Sequence, residues 1–504
     1  MHLKILSCSA EFSERIRLTQ IFYTPRIYCV CSVYFYLESR MSEQQVDLVV
    51  ANGTVHMPEG SAQLNVCISD GKIVGLTDAA NTPAARKVID AKGLDVLPGL
   101  WHVHCHFREP GHTYKEDFTS GTTAAAAGGI TFCIDMTNND PHPTTLESFE
   151  LKRSTIAPKA LVDYALYGGG LYPKTVEALA KAGAIGIKVF NTRHVKEVYP
   201  YISELGVVDH GILHELYEAV ADTGLLCAVH HDDSEWCKRL TFRDYINAGK
   251  TSNADYMEAY ERGYMYGHGM AAGLAASTYY ARLTGVRLHV LHMGVMPPAA
   301  NDLVRFAKSQ GADISGEMET ATLFMTRAQA EKVGPGTYAW AYAPEAHWQA
   351  VRDGTADFLV GEHAPHTLEE ITPGWKDNFS VPLGVTGAQE FIPLVLNAVN
   401  EGKLNLRDVA RLCAEAPAKR FGQFPKKGRI QVGTDGDLTI VDMKAEQTFR
   451  AADMHTKAGY TAWEGMTTKG MPVYTIVRGS TVMDHGKIVG QPGYGKFHPG
   501  TAAS

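Results

Sequence analysis

The chain has little that marks a membrane protein, a nucleic-acid binder or a disulfide scaffold. No apolar run in its 504 residues reaches the ~18–20 residues that a spanning helix needs. Acidic residues outnumber basic ones, 55 to 47, for a formal charge of −8, and no basic run offers phosphates or anionic lipid a footprint. Cysteine is sparse: nine are scattered without framework spacing, and Cys29-Val-Cys31 is too tight for an ordinary structural bridge. A reducing, cytoplasmic compartment is therefore expected. The remainder is ordinary globular material, 45% hydrophobic and 20% charged, enough for one barrel-sized core and a smaller satellite domain.

Residues 1–40 mix basic, aromatic and cysteine residues without periodicity. The segment 27–37 is apolar, yet no charged n-region, h-region and small-residue cleavage site follow one another. We read 1–40 as an N-terminal extension with no role in the fold, because Met41-Ser-Glu-Gln-Gln looks like a natural start. A targeting peptide is the alternative.

From there, short β-like runs recur at both ends. Val46-Asp-Leu-Val-Val-Ala, Leu64-Asn-Val-Cys-Ile, Lys72-Ile-Val-Gly-Leu and Lys87-Val-Ile-Asp are separated by turns at Asn52-Gly53, Asp70-Gly71 and Lys92-Gly93. Gly428-Arg-Ile-Gln-Val-Gly, Asp437-Leu-Thr-Ile-Val-Asp, Val473-Tyr-Thr-Ile-Val-Arg-Gly and Lys487-Ile-Val-Gly repeat the style. A small β-sandwich built from 41–95 and 426–490 is expected, with 491–504 as a tail and 96–425 inserted between.

The insert alternates strand-like runs with helical stretches at 119–127, 173–182, 212–222, 269–282 and 298–309. The runs are Gly129-Ile-Thr-Phe-Cys-Ile-Asp-Met, Ile185-Gly-Ile-Lys-Val-Phe, Leu225-Leu-Cys-Ala-Val-His, Arg287-Leu-His-Val-Leu-His and Asp357-Phe-Leu-Val-Gly. Repeated β-then-α order implies a parallel sheet. The expected class is α/β, a TIM-like (β/α)8 barrel whose chemistry sits at the carboxyl ends of its strands.

Residues 97–111, Leu-Pro-Gly-Leu-Trp-His-Val-His-Cys-His-Phe-Arg-Glu-Pro-Gly, read as a buried strand ending in His104-Cys105-His106 and broken at Pro110-Gly111. Side chains two apart on a strand face the same way, so His104 and His106 present paired imidazoles, as a zinc-like ion requires. Alone, the pair also fits two hydrogen-bonded histidines at a strand end. Lys188, His230, His292 and Glu362 close apolar runs in the same manner. Four histidines, a lysine and a carboxylate at one mouth describe a two-metal hydrolytic site. An ammonium would repel the cations, so Lys188 must be neutralised, and carbamylation by carbon dioxide makes it a carboxylate-like bridge. Two divalent ions about 3.5–4 Å apart lower the pKa of a shared water and polarise a carbonyl.

With Lys115-Glu-Asp-Phe-Thr-Ser-Gly-Thr, Gly128-Gly-Ile-Thr, Asp135-Met-Thr-Asn-Asn, Ile187-Lys-Val-Phe, Val229-His-His-Asp, Leu288-His-Val-Leu-His and Glu362-His-Ala-Pro-His-Thr-Leu-Glu-Glu, the chain over about 45–490 resembles the cyclic amidohydrolases: dihydroorotases, allantoinases and hydantoinases. The resemblance implies that His104 and His106 bind the more buried metal, with Glu362 at the position of the family's aspartate. It assigns His230 and His292 to the more exposed metal and a carbamylated Lys188 to the bridge. A hydroxide held between the ions would attack the ring carbonyl, and Glu362 would pass its proton to the leaving nitrogen. Zinc is the expected metal, although manganese, cobalt and iron suit the same ligands. A small cyclic amide as substrate and a homodimer or homotetramer are also implied.

Arg108 follows the metal motif, where a guanidinium can grip a carboxylate in bidentate fashion, as the matching arginine of dihydroorotases does. The alternative is a surface arginine paired with Glu109 or Asp117. Asn138 or Asn139 would assist from the next strand end, and His366 is a further candidate contact. His231, His289 and His363 are read as loop or supporting hydrogen-bonding residues, and Cys105 and Cys227 as wall packing.

Several positions depart from the family pattern. His102 replaces the aspartate before the paired histidines, and Glu362 is one methylene longer than the usual residue. Thr320-Ala321-Thr322 stands where Pro-His-Tyr usually follows the glutamate of the sixth strand, here Glu317. Ala339-Trp-Ala-Tyr-Ala-Pro-Glu occupies the usual Pro-Pro-x-Arg loop. An active enzyme on an unusual cyclic imide, lactam or substituted hydantoin competes with a non-catalytic assembly protein and with a mononuclear hydrolase or deaminase. Because His104, His106, Lys188, His230 and His292 are all present, we expect hydrolytic ring opening.

Overall fold

Apolar runs buried on both faces need neighbours on both, and here a closed sheet inside a ring of helices provides them. The computed structural model describes residues 45–192, 205–337 and 339–501; the expected N-terminal extension 1–40 lies outside the described residues. The strands in chain order are β1 (Val46–Met57), β2 (Gly60–Ser69), β3 (Lys72–Asp78), β4 (Ala85–Asp90) and β5 (Asp95–Pro98). The barrel strands follow: β6 (Leu100–Cys105), β7 (Ile130–Asp135), β8 (Asp163–Gly169), β9 (Gly186–Asn191), β10 (Leu226–His231), β11 (Arg287–Val290), β12 (Ile314–Glu319) and β13 (Phe358–Val360). The last four are β14 (Leu438–Thr448), β15 (Thr467–Val477), β16 (Ser480–Asp484) and β17 (Lys487–Ile488).

The two ends of the chain meet in one nine-stranded sheet of order β17-β16-β15-β14-β5-β1-β2-β3, with β4 and β5 sharing the second edge of β1. Asp70 and Gly71, at φ of 50° and 73°, make the tight β2–β3 turn with the backbone twist that hairpins favour. Val50, Val66, Ile68, Val96, Ile440 and Ile476 form the core of this unit. Thr439 and Thr475 weld it to the barrel by donating to the carbonyls of Gly129 (2.8 Å) and Ala126 (2.7 Å).

β6 to β13 form a parallel sheet in sequence order. Its seam closes just above the last strand: His106 N donates to His363 O at 2.7 Å and His363 N to His104 O at 3.2 Å. The lower interior is an apolar plug containing Trp101, Phe132, Tyr167, Phe358 and Phe421, with Trp101 stacked on Phe132 at 3.9 Å. The inward positions become polar only above this plug.

The structure corrects the sequence reading at three places. β8 and β12 are barrel strands missing from the expected set. β8 runs into three successive glycines that read as loop, and β12 turns Ser315, Glu317 and Glu319 inward, so neither presents an apolar run. The run 428–433 is irregular, because Gly428 and Gly433 sit at φ of 95° and 94°, outside the strand region. Residues 491–501 run along the foot of β8: Lys496 N donates to Asp163 Oδ1 at 3.0 Å, and His498 Nε2 lies 2.8 Å from Oδ2.

Asp163 also meets Lys427 Nζ at 2.8 Å and the Arg478 guanidinium, and Asp163 and Lys427 are both buried. Removing one partner of a buried ion network strands the others. Asp163→Ala should therefore cost about 3–5 kcal/mol, read as a shift in the denaturant midpoint of unfolding, whereas a change below about 1 kcal/mol would mean the network is dispensable.

Candidate metal centre

The barrel strands deliver their polar ends to one mouth. His104 ends the straight part of β6 and His106 follows it; Lys188 lies on β9, His230 on β10, and His292 and Glu362 in the turns after β11 and β13. All six are buried. Ring centroids are 5.2 Å apart for His104 and His106, 4.9 Å for His104 and His292, and 4.7 Å for His230 and His292. One ligand atom each from His104, His292 and Glu362 falls within 4.8 Å, and so does one each from His292, Glu317 and Glu319.

His102 stays out of this group for a local reason. The pairing of β6 with β7 changes register between His102 and Cys105, and a bulge of that kind re-aims the side chains that follow it. Val103 joins the barrel interior, while the His102 ring packs edge-on against Phe391, 5.2 Å away in the helix Phe391–Asn400. His102 therefore does not intrude on the mouth. Arg108, His292 and Glu362 adopt φ of 60°, 61° and 47°, a region that costs a non-glycine residue on the order of 1 kcal/mol or more. The barrel closure and the packing around the mouth hold them there.

Buried polar atoms are normally hydrogen-bonded. His104 Nε2, His106 Nδ1, His230 Nε2 and Lys188 Nζ are buried without a hydrogen-bond partner among the described residues. The other face of His104 is held: Nδ1 lies 2.5 Å from Glu317 Oε1, Glu317 Oε2 lies 3.2 Å from His289 Nε2, and His289 Nδ1 lies 2.9 Å from Ser315 Oγ. A carboxylate on Nδ1 fixes the tautomer that leaves Nε2 with its lone pair, as metal-ligating histidines require. Burial pushes His104, His106 and His230 well below the usual histidine range, which favours the neutral ligand form, and brings Lys188 down to about 7 against the pull of Glu317 and Glu362. His292 differs: burial lowers it, but Glu362 and Glu319 outweigh that and carry it to about 10. The donor set fits a divalent metal.

The wall beside the cage is a buried charge network. Arg108 pairs with neither Glu109, which takes Lys159, nor Asp117, which takes Lys457. Its Nε donates to Pro365 O at 3.2 Å and its Nη2 lies 3.3 Å from His366 Nε2. Lys115 Nζ lies 2.7 Å from Glu370 Oε1 and 3.2 Å from His366 Nδ1. Burial and the Arg108 charge press His366 down to about 3, so it stays neutral and accepts from the guanidinium. Asn139 is occupied on both sides of its amide, donating to Glu109 O at 2.8 Å and accepting from Lys152 Nζ at 2.7 Å. The Asn138 Oδ1 atom is buried without a hydrogen-bond partner among the described residues.

A model of the amidohydrolase family matches residues 96–482. The chain belongs to the amidohydrolase family. It is 31% identical over 462 residues to the L-hydantoinase of Paenarthrobacter aurescens, covering 90% of this chain and 97% of that one. It is 33% identical over 465 residues to an allantoinase of Rubrobacter xylanophilus, covering 90% and 97%. The solved structure of the L-hydantoinase (dihydropyrimidinase) from Arthrobacter aurescens matches with a TM-score of 0.83 at 29% identity, covering 90% of this chain and all of that one.

Set beside this family membership, some of the sequence reading shifts. Glu317 lies on the seventh barrel strand, not the sixth, and supports His104. His289 is on β11, and its role is supporting hydrogen bonding. His231 Nδ1 meets Ser277 Oγ at 2.9 Å, and His363 Nε2 meets Glu116 Oε2 at 3.0 Å. Cys105 and Cys227 are packed in the main core. Glu319, Lys115 and Glu370 were missed as members of the site. The alternation Ser315, Glu317, Glu319 was the available signal, since it places three polar side chains on one face of a strand.

Glu370 gives the wall a pH signature. Burial raises its carboxyl, but His366, Lys115 and the Thr367 N–H outweigh that and hold it well below the usual 4.5. A depressed carboxyl contributes stability above its unfolded pKa and loses it as pH falls through the folded value. The stability gap between wild type and Glu370→Gln should be full above about pH 5 and close as pH falls below the normal carboxylate range. A gap independent of pH in unfolding titrations would remove Glu370 from this role.

Proposed function

We propose that this chain is a metal-dependent hydrolase that opens a cyclic amide at its C–N bond, on a dihydroorotate-, allantoin- or hydantoin-like substrate. The observation that carries the reading is the set of unpartnered buried atoms, His104 Nε2, His106 Nδ1, His230 Nε2 and Lys188 Nζ, gathered beside His292 and Glu362. The similarity to a hydantoinase and an allantoinase over nine-tenths of the chain supports the reaction class.

In this reading His104, His106 and Glu362 would hold a buried divalent ion, His230 and His292 a more exposed one, and a carbamylated Lys188 would serve both; zinc is the metal we favour. When bound, the ions supply the Lewis acidity that lowers the pKa of a water and polarises the amide carbonyl. The Lys188 amine, which burial brings down to about 7 so that about half of it is neutral at pH 7, would add its lone pair to the carbon of carbon dioxide. An N–C bond forms, one C=O pair moves to oxygen and the nitrogen gives up a proton to solvent water, leaving an anionic carbamate among the imidazoles. The Glu362 carboxylate takes the proton from the attacking water as the C–O bond forms and returns it to the ring nitrogen as the C–N bond breaks. Arg108, braced by His366 and Pro365, grips a carboxylate or ureide oxygen of the substrate, and Asn138 offers its amide from the next strand end. Asn139 holds the loop from behind.

The same reading makes the protein a cytoplasmic homodimer or homotetramer. The six described cysteines are free and buried, as a reducing compartment allows. Tyr279 and Leu283, one turn apart on the helix Gly267–Thr284, and Phe306 on the helix Ala300–Ser309 expose apolar surface that a second copy would cover. Among the described residues no helix is long and apolar enough to cross a membrane.

Metal analysis of the full chain, purified without chelator in bicarbonate, tests the cage. About two ions per chain, falling sharply in Lys188→Ala, are expected; one ion would favour a mononuclear hydrolase, and none in a folded, metal-supplied sample the non-catalytic alternative. On a substrate found by ring-opening screens, Glu362→Gln should lower kcat by about 10²–10⁴-fold. Arg108→Ala should chiefly raise KM if the guanidinium grips the ground state, and an unchanged KM on every substrate would refute the grip.

A further inference from the structure

Two carboxylates approach the same nitrogen of His292, and only one has been given a task. Glu362 Oε2 lies 3.4 Å from His292 Nδ1, and Glu319 Oε1 lies nearer, at 3.2 Å, an ion-pair distance at which Oε1 is buried and not yet in hydrogen-bonding alignment with the ring. Glu319 is fully buried at the end of β12, where it pairs with Val360 of the neighbouring strand. Its second oxygen accepts the Gly294 N–H at 3.0 Å, so one carboxylate spans two points of the turn that carries His292. Gly294 makes room for it and for Thr322: a Cβ there would clash with the Thr322 hydroxyl and stand 2.8 Å from Glu319 Oε2. Glu362 sits in a left-handed turn above β13.

We infer that Glu319 is the positioning residue for His292, accepting its Nδ1–H while clamping the Gly294 amide, so that the lone pair of Nε2 is kept for the more exposed metal and Glu362 is left for proton transfer. This rests on the two-metal reading above. Outer carboxylates on a metal-bound imidazole fix the tautomer and ring direction and raise its basicity. The arrangement repeats, on the other side of the cage, what Glu317 does for His104. Both come from β12, two residues apart on its inward face, so one strand orients one histidine of each metal.

Cobalt-loaded full chain provides the test, with metal affinity read by competition against a chelator and geometry by the visible cobalt spectrum. Glu319→Ala should weaken one of two sites by about 10–100-fold and shift the spectrum of that site, leaving the other metal in place. Glu319→Gln keeps the shape and one acceptor, so it should fold normally and fall between wild type and Glu319→Ala. The His292→Ala/Glu319→Ala pair should lose no more than His292→Ala alone, because both act through one ring. Wild-type affinity and spectrum in Glu319→Ala and Glu319→Gln, or full additivity in the double variant, would overturn the inference alone. A wild-type chain that takes no cobalt would overturn the two-metal reading itself.

Discussion

Everything at the mouth depends on two backbone hydrogen bonds across the barrel seam, from His106 N to His363 O and from His363 N to His104 O. β13 is only three residues long, so the sheet has no further strand length with which to close. The chain continues the pairing through His363 instead, outside any formal strand, with Cys105 opposite His363 in a parallel bridge. That join brings the paired histidines of the first strand beside Glu362 of the eighth. It also turns the His363 ring outward to Glu116 and to the amides of Gly387 and Ala388. A parallel ladder tolerates no one-residue slip without reversing every side chain. Closure and ligand placement are therefore one constraint.

The interior is layered accordingly. Aromatic and aliphatic side chains fill the lower barrel, and above them come Ser315, His289 and Glu317 in a hydrogen-bonded chain that ends on His104. Burying that many ionisable groups is costly unless each finds a partner. The supporting chain is hydrogen-bonded, whereas in the layer above it His104 Nε2, His106 Nδ1 and His230 Nε2 have no hydrogen-bond partner among the described residues. A cation placed among these three nitrogens would meet that unmet desolvation. Binding energy there adds directly to the stability of the fold, as in other metal sites whose ligands are assembled only by folding.

Much of this was legible in the sequence because the candidate ligands mark strand ends: His104, His106, Lys188, His230, His292 and Glu362 each follow an apolar run, and the structure brings them together. What was illegible has physical causes. β12 carries carboxylates on its inward face, so its alternation resembles a half-exposed strand in the middle of a closed barrel. β8 dissolves into glycine where neighbouring side chains need the space: a Cβ at Gly168 would lie 3.2 Å from Ile187 and Leu179. The different directions of His102 and His104 come from a bulge, which strict two-residue periodicity hides. Arg108 read equally well as a surface residue, because its partners, Pro365 and His366, lie far away in sequence and meet it only when the seam is closed.

The departures from the family pattern sort by where they fall. His102 lies behind the bulge and leaves the metal-facing side of β6 alone. Glu362 adds a methylene at the position proposed to carry the proton, and the same turn that raises it to a left-handed φ also lets it come within 3.4 Å of His292. If His292 holds a metal, a longer acid so close to it would compete for that ring unless another acceptor held the Nδ1 proton, and Glu319, 3.2 Å away, is the carboxylate nearest that nitrogen. The cage is carried on strands or just beyond their ends, tied to the barrel frame. The wall of Arg108, His366, Lys115 and Glu370 is carried on loops and the short helix Leu368–Ile371, joined mainly to each other. Substrate preference can therefore change by rebuilding the wall while the bond-breaking chemistry stays with the strands, which is how a nearly complete cage and a remodelled mouth coexist in one chain.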